Sequence, residues 1–405
     1  MTGFEQLWAE LADVGREPST GGYRRFAWTG VDATLREWFV AAARQRGLDV
    51  VTDRAGNLWA WWGDPDAAVA DGRPGLVLGS NLDSVPDGGA YDGPLGVVSA
   101  FAALDALRAT GLEPRRPVGV ACFGDEEGAR LGIACGGSRI LTGDLDANRA
   151  RALTDADGIS MAEAMRTAGY DPGQLGRDDE ALRRVGTFVE LHVEQGRGLV
   201  AAHDGAGAAV GVASSIWPHG RWRLDLCGRA DHAGTTRLVD RDDPMLALAT
   251  AVQTARSAAE RHDAVATIGK LRVEPGGVNA IPSAVTAWLD ARGPVPDDVR
   301  AVVADVGTAA GVTPAEESWS PPMHFDEPLR DRLATLLAGP GGTAAPVLAT
   351  GAGHDAGILS AAGIPTAMLF VRNPTGVSHS PAEHAETDDC LAGVAALARV
   401  VEELA

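Results

Sequence analysis

The fold of the chain is decided by residues 74–110, which read PGLVLGSNLDSVPDGGAYDGPLGVVSAFAALDALRAT. The short apolar run at 74–79 is bounded by glycine, which is typical of a buried strand. A loop rich in Asp and Gly follows at 80–93, and the apolar stretch 94–110 predicts a helix. A strand, a polar loop and a helix in this order are the repeating unit of an α/β fold.

The same order recurs on both sides of this segment. Further buried strands are predicted at 118–123, 188–192 and 366–371, and two helices and a pair of strands are predicted within 1–70. Strands that alternate with helices indicate an α/β sheet that is mostly parallel and covered on both faces. Acidic loops at the carboxyl ends of such strands are where binding sites tend to lie.

The pattern changes near residue 211. Three strands and one long helix are predicted there, at 222–227, 264–273, 284–290 and 243–262. We therefore predict a metal-binding catalytic domain formed by residues 1–210 and 326–405, with an α+β domain inserted at 211–325. A chain of 405 residues is long enough for two domains.

The composition excludes several classes of partner. The formal net charge is -20, which argues against binding to nucleic acid or to an anionic membrane. The four cysteines are widely spaced, so we expect free thiols and a reducing cytoplasm. The N-terminal residues have neither the basic region nor the apolar run of a secretory signal, and no apolar run is long enough to cross a bilayer.

Four loops, each just after a predicted strand, carry acids and imidazoles. They are 79–93 with Asp83 and Asp92, 125–128 with Glu126 and Glu127, 190–196 with His192, and 376–383 with His379. A single histidine in such a loop is more often a structural hydrogen-bonding group, and paired glutamates usually form a solvated surface. Four loops of the same type in matching positions favour a metal centre instead.

Imidazole and carboxylate ligands together suit Zn²⁺, Mn²⁺ or a similar divalent ion. We predict ligation by Asp92, Glu127, His192 and His379, with one or two ions in each chain. Two ions would need a bridging carboxylate, which one aspartate can supply. Of two adjacent glutamates, one can ligate while the other takes a proton from the attacking water.

At the level of motifs, the chain resembles the aminoacylase/carboxypeptidase metallopeptidase family M20, from about Leu35 to the C-terminus. The motifs that carry the resemblance are GGAYDGPLGV at 88–97, DEEGARLG at 125–132, ELHVEQG at 190–196, DHAGTT at 231–236, VNAIP at 278–282, GAGHDAG at 351–357 and GVSHSPAEH at 376–384. Within the family, they are most similar to the branch of N-carbamoyl-L-amino acid hydrolases and allantoate amidohydrolases.

The resemblance implies a role for each matching residue. Asp92 would bridge two metals, Glu126 would be the general base, and Asp83 would orient residue 81. The inserted domain would serve as a lid and as the interface of a homodimer. The other implied roles are stabilisation of the oxyanion by His232, substrate binding by Asn279 and Arg292, and lining of the same pocket by Gln195 and His354.

The largest departure from the family pattern is Asn81, because the family has a metal-binding histidine at this place. An amide oxygen is a poorer ligand than imidazole for Zn²⁺. Three outcomes stay open for Asn81 as a ligand: a weak second metal site, an enzyme with one metal, or a repurposed centre.

The function we expect is hydrolysis of a C–N bond in a small carboxylate-bearing substrate, such as an N-carbamoyl amino acid or a ureido acid like allantoate. The first alternative is an N-acyl or N-formyl amino acid or dipeptide hydrolase. The second alternative is a metal-poor relative that binds a small acid without hydrolysing it, and Asn81 is the residue that favours it.

Overall fold

A computed structural model describes residues 3–339 and 341–405 of the chain. The chain forms two compact units. The first comprises Met1–Ser214, Phe325–Leu348 and Gly353–Ala405, and the second comprises Ser215–His324 and Ala349–Ala352. The lid and dimerisation roles of the inserted region, and its proposed bounds at 211–325, stay predictions.

The secondary-structure elements of the described residues are numbered here in chain order. The strands are β1 Asp49–Thr52, β2 Leu58–Trp62, β3 Gly75–Asn81, β4 Val118–Phe123, β5 Val185–Val193, β6 Val210–Ile216, β7 His219–Cys227, β8 Asp231–His232, β9 Val265–Glu274, β10 Ala280–Ile281, β11 Ala284–Arg292, β12 Ala315–Ser320, β13 Met323–His324, β14 Val347–Thr350 and β15 Thr366–Val371. The α-helices are α1 Gly3–Leu11, α2 Gly30–Gln45, α3 Pro65–Ala70, α4 Pro94–Ala109, α5 Gly136–Thr142, α6 Ala147–Ala152, α7 Met161–Thr167, α8 Asp179–Arg184, α9 Gly198–Ala201, α10 Pro244–Arg261, α11 Pro296–Ala310, α12 Glu327–Leu336, α13 Asp355–Ala361 and α14 Thr387–Leu404.

The first unit is built on one sheet, in which the strands follow the order β1-β2-β4-β3-β5-β15-β6. The predicted α/β class is confirmed. In this order, the three pairs formed by the central strands β4-β3-β5-β15 are parallel and the other three are antiparallel, so the sheet is mixed and not mostly parallel. The pairs towards the edges, β1-β2, β2-β4 and β15-β6, are antiparallel.

The central strands of this sheet are covered on both faces. Every residue of β3, β4 and β15 is buried, as expected for strands that read as continuous apolar runs. Helix α4 packs against β3 and β5, and α14 packs against α4. Among residues 3–339 and 341–405, no helix has both the length and the apolar character that crossing a membrane requires.

The second unit contains a four-stranded antiparallel sheet in the order β12-β7-β11-β9. Burial alternates along β7, where Trp222, Leu224 and Leu226 are buried and the residues between them are not. These side chains share a core with residues of α10 and α11. The separate pair of short strands, β8 and β10, brings the 231–236 and 278–282 motifs side by side.

Truncation of Phe101 tests the core of the first unit. The side chain of this α4 residue is fully buried and packs against Phe39 at a ring-centroid distance of 5.2 Å. Phe101→Ala should lower the free energy of unfolding of this unit by about 3–5 kcal/mol, because it leaves a cavity. The exposed Ile159 offers a control, since Ile159→Ala should change stability by less than about 0.5 kcal/mol. Denaturant unfolding with equal losses in both variants would contradict this packing.

Candidate metal centre

The four loops predicted from the sequence follow the four parallel strands of the first unit. Because β4, β3, β5 and β15 are neighbours that run in the same direction, their carboxyl ends meet at one edge of the sheet. The side chains that this arrangement brings together are Asn81, Asp83, Asp92, Glu126, Glu127, His192, Gln195 and His379.

Asp92 is the centre of the cluster. Its Oδ1 lies 3.0 Å from Nε2 of His192, and its Oδ2 lies 3.3 Å from Nε2 of His379. The other ring nitrogen of His192 lies 2.8 Å from the carbonyl oxygen of Val193, which fixes the orientation of the ring. Asp92 and His192 are buried, whereas about half of the His379 side chain is exposed. The cluster is therefore accessible from the His379 side.

The two glutamates after β4 are held by Asp83. The backbone N–H groups of Glu126 and Glu127 donate to the Asp83 carboxylate at 3.2 and 3.0 Å. The Glu127 side chain is buried, and its Oε2 lies 3.6 Å from Nε2 of His379. Asp83 thus fixes the turn that carries Glu126 and Glu127.

The pKa values of the acids in this cluster are strongly shifted. Burial, together with the charge of Asp92, raises the pKa of Glu127 to about 8. Burial, together with repulsion from Glu127, raises the pKa of Glu126 well above its ordinary value. Burial also opposes the charge on Asp92, but hydrogen bonds with His192 and His379 outweigh it and hold the Asp92 pKa below its usual range. A divalent cation would relieve the repulsion among these acids.

The donor set fits such a cation. One ligand atom from each of Asp92, Glu127 and His379 lies within 4.8 Å of the others. Oε1 of Glu127 is buried and has no hydrogen-bond partner among the described residues, although a buried carboxylate oxygen ordinarily has one. Two carboxylates and one imidazole suit Zn²⁺ and Mn²⁺ alike.

Asn81 contacts Asp83 and Ser80. Its Nδ2 lies 3.2 Å from Oδ1 of Asp83, and its Oδ1 lies 3.2 Å from the oxygen of the Ser80 hydroxyl. Gly93 has a positive φ of 87°, and a Cβ at this residue would lie 2.4 Å from Oδ1 of Asn81. The amide therefore packs tightly beneath the Asp92 loop. Metal ligation by Asn81 stays a prediction.

Gln195 and His354 border the same cluster. Nε2 of Gln195 donates to Oδ2 of Asp92 at 3.0 Å, while its Oε1 is buried and has no hydrogen-bond partner among the described residues. The His354 ring lies 4.6 Å from the His192 ring, centroid to centroid. Gln195 thus contacts Asp92 directly, and its contact with substrate stays a prediction.

The remaining predicted residues lie in the second unit. His232 pairs with Ala280 across β8 and β10, and the backbone of Ala233 donates to the Asn279 carbonyl oxygen. Nδ1 of His232 accepts N–H groups from Gly234 and Thr235 at 3.0 and 3.2 Å. Since Nδ1 is an acceptor, the proton of the neutral ring is on Nε2, which can then donate to a ligand.

Arg292 is already engaged within the second unit. Its Nε and Nη2 donate to the two oxygens of Asp290 at 2.7 and 3.0 Å, and its Nη1 donates to the Gly351 carbonyl oxygen at 2.9 Å. A substrate carboxylate would have to share this guanidinium with Asp290. The predicted binding of a substrate carboxylate by Arg292 is therefore constrained by a contact that the sequence pattern did not indicate.

Three polar residues at the site received no role in the sequence analysis. Glu383 accepts hydrogen bonds from the N–H groups of Tyr91 and Asp92, and Ser378 lies 3.1 Å from Oδ2 of Asp92. Glu190 is fully buried and accepts from the Ser80 hydroxyl at 2.8 Å. The only signal in the sequence was their position inside the ligand-bearing loops.

A sheet with acids and imidazoles at the ends of its parallel strands is the arrangement expected of a metallohydrolase. Residues 77–403 match the model of peptidase family M20/M25/M40, and the chain belongs to that family. The resemblance read from the motifs is confirmed.

Individual relatives cover nearly the whole chain. The N-carbamoyl-L-amino acid amidohydrolase of Geobacillus stearothermophilus is 37% identical, over 99% of this chain and 98% of that protein. The allantoate amidohydrolase of Bacillus subtilis is 30% identical, over 98% and 95%. A solved amidase of the hydantoinase/carbamoylase family from Burkholderia vietnamiensis superposes with a TM-score of 0.85, at 28% identity and with 99% and 97% of the two chains covered.

The ligand assignment predicts the effect of neutralising Glu127. Glu127→Gln should weaken binding of Zn²⁺ or Mn²⁺ by about tenfold or more. This factor corresponds to about 1.4 kcal/mol, which is near the lower end of what a contact with a charged group contributes. The matched control is Glu37→Gln, which changes an exposed glutamate of α2. Competition with a chromophoric chelator measures both variants. Metal binding by Glu127→Gln that is as tight as in the control would exclude Glu127 as a ligand.

Proposed function

We propose that the chain is a metal-dependent amidohydrolase that cleaves a C–N bond of a carbamoyl or ureido group in a small carboxylate-bearing substrate. The observation that carries the proposal is the cluster of Asp92, Glu127 and His379, with Glu126 buried beside it. A divalent cation held by these three ligands would supply Lewis acidity, polarising a carbonyl group and making water more acidic.

Glu126 is the proposed general base. It lies outside the ligand group of Asp92, Glu127 and His379. Asp83 accepts a hydrogen bond from its backbone N–H, and its buried carboxylate lies 3.4 Å from Sγ of Cys135. In the hydrolysis, water adds to the carbamoyl carbon and gives its proton to the Glu126 carboxylate. Glu126 then returns this proton to the nitrogen of the C–N bond that breaks, and this nitrogen leaves as ammonia or as the amine. The carbamic acid that remains loses CO₂ and releases the other nitrogen, so that the products are an amine, CO₂ and ammonia.

Further residues have proposed roles in recognition of the substrate. The buried Oε1 of Gln195 has no hydrogen-bond partner among the described residues, so it suits a substrate N–H. His232 has an Nε2–H donor, which suits a developing oxyanion. We assign binding of the substrate amide to Asn279 and of its carboxylate to Arg292. His354, whose ring lies against that of His192, is assigned to the lining of the pocket.

The names of the relatives support the carbamoyl or ureido class. One relative is an N-carbamoyl-L-amino acid amidohydrolase and another is an allantoate amidohydrolase, and both substrates carry a carbamoyl group on nitrogen. We further propose Zn²⁺ or Mn²⁺ as the ion, with one or two ions in each chain, a cytoplasmic location and a homodimer. Nucleic acid and membranes are not among the proposed partners.

Replacement of Glu126 tests the proposed chemistry. Glu126→Gln keeps the size of the side chain but cannot accept the proton, so kcat for ammonia release should fall by about 10²–10⁴-fold. The substrates are N-carbamoyl amino acids, allantoate and ureidoglycolate, with metal added. Metal affinity should stay close to that of the wild-type chain, because Glu126 is not in the ligand group.

The same panel separates the rival functions. Turnover of acetyl or formyl amino acids or dipeptides alone would replace the proposal with N-acyl hydrolysis. A shift in unfolding temperature on ligand addition, with no product from any member of the panel, would favour a binding protein. Asn81 is the residue that favours a binding protein.

The number of ions depends on residue 81. Asn81→His places an imidazole next to the Asp92 loop, where the amide of Asn81 now hydrogen-bonds Asp83, and should raise the bound metal towards two ions per chain. Elemental analysis of both purified proteins measures the ratio. If both chains bind two ions tightly and are equally active, Asn81 does not weaken the second site.

A further inference from the structure

Two ligand-bearing loops of the first unit are joined by one side chain that is not itself in the ligand group. Glu383 lies in the loop after β15, four residues beyond His379, and its side chain is buried. Its Oε1 accepts the backbone N–H groups of Tyr91 and Asp92, each at 2.9 Å. These contacts connect the loop after β15 to the loop after β3, across 291 residues of sequence.

The second oxygen of Glu383 extends the link to the Asp92 carboxylate. Oε2 lies 3.2 Å from the Ser378 hydroxyl, which also lies 3.1 Å from Oδ2 of Asp92. Gln195 donates to both Ser378 and Asp92, at 3.1 and 3.0 Å. The Ser378 hydroxyl has one hydrogen, so it can donate to one carboxylate at a time while it accepts from Gln195.

Local packing leaves Glu383 little freedom. A Cβ at Gly89 would lie 2.4 Å from Oε1 of Glu383 and 2.5 Å from its Cβ, so the Asp92 loop approaches closely only because residue 89 is glycine. On its own loop, the N–H of Glu383 donates to the Ser380 carbonyl oxygen at 3.0 Å. This turn directly follows His379, whose backbone has a positive φ of 53°.

We propose that Glu383 is a positioning residue of the metal centre, which fixes the backbone of Asp92 and the turn of His379 so that both side chains meet one cation. The inference rests on the proposed metal centre, but not on the identity of the substrate. Hydrogen-bond partners behind the ligands commonly change metal affinity by about 10- to 100-fold, and Glu383 reaches two ligand loops at once.

Two substitutions at residue 383 separate positioning by hydrogen bonds from a simple effect of charge. Glu383→Gln keeps an oxygen that accepts the N–H groups of Tyr91 and Asp92, and its amide N–H can donate to the Ser378 hydroxyl. Glu383→Ala removes every one of these contacts. Glu386→Ala is the matched control, since Glu386 is an exposed acid of the same loop.

Affinity for Zn²⁺ and for Mn²⁺ is measured by competition with a chromophoric chelator, and unfolding temperature is measured on the metal-free proteins. Glu383→Ala should raise the metal dissociation constant by about tenfold or more, whereas Glu383→Gln and Glu386→Ala should stay within about threefold of the wild-type chain. If Glu383→Ala does not fold, Gly89→Ala serves instead, because it displaces Glu383 by steric overlap and should weaken binding similarly.

Three results would overturn the proposal. These are wild-type affinity in a folded Glu383→Ala or Gly89→Ala variant, equal losses in Glu383→Gln and Glu383→Ala, and a wild-type chain that binds neither ion. Because the assay contains no substrate, the expected differences in affinity would stand even if no carbamoyl or ureido compound were hydrolysed. Such a result would contradict the proposed substrate class but would leave the positioning role of Glu383 in place.

Discussion

The site depends on one constraint, which is the burial of a carboxylate between two imidazoles. Asp92 contacts His192 through one oxygen and His379 through the other. Its charge is retained inside the protein because these contacts outweigh the cost of burial. The same charge raises the pKa of Glu127. A divalent cation would compensate the charges of Asp92 and Glu127 in place of a proton.

The fold serves this constraint through the order of its strands. The four parallel strands β4-β3-β5-β15 are drawn from distant parts of the chain, yet their carboxyl ends lie side by side. Each loop then adds polar side chains to the site, and hydrogen bonds from backbone N–H groups to Asp83 and Glu383 connect the loops. Two carboxylates outside the ligand group thus hold the segments that carry Glu127 and Asp92.

The α/β class and the four loops could be predicted from the sequence, because apolar runs and the acids that follow them are local patterns. The antiparallel edges of the sheet could not, since pairing between distant strands leaves no local signal. Two other features depend on side-chain geometry. They are the hydrogen bonds of Glu383 with the backbone of Tyr91 and Asp92, and the two hydrogen bonds from Arg292 to Asp290. Neither residue type nor spacing distinguishes such contacts from those of an ordinary surface charge.

The central claim is that Asp92, Glu127 and His379 hold a divalent cation. Anomalous diffraction from crystals grown with Zn²⁺ or Mn²⁺ tests it most directly, because it locates the ion without reference to activity. The account predicts a strong peak at about 2.0–2.2 Å from a carboxylate oxygen of Asp92, a carboxylate oxygen of Glu127 and a ring nitrogen of His379. A fully loaded crystal with no peak among these three residues would contradict it.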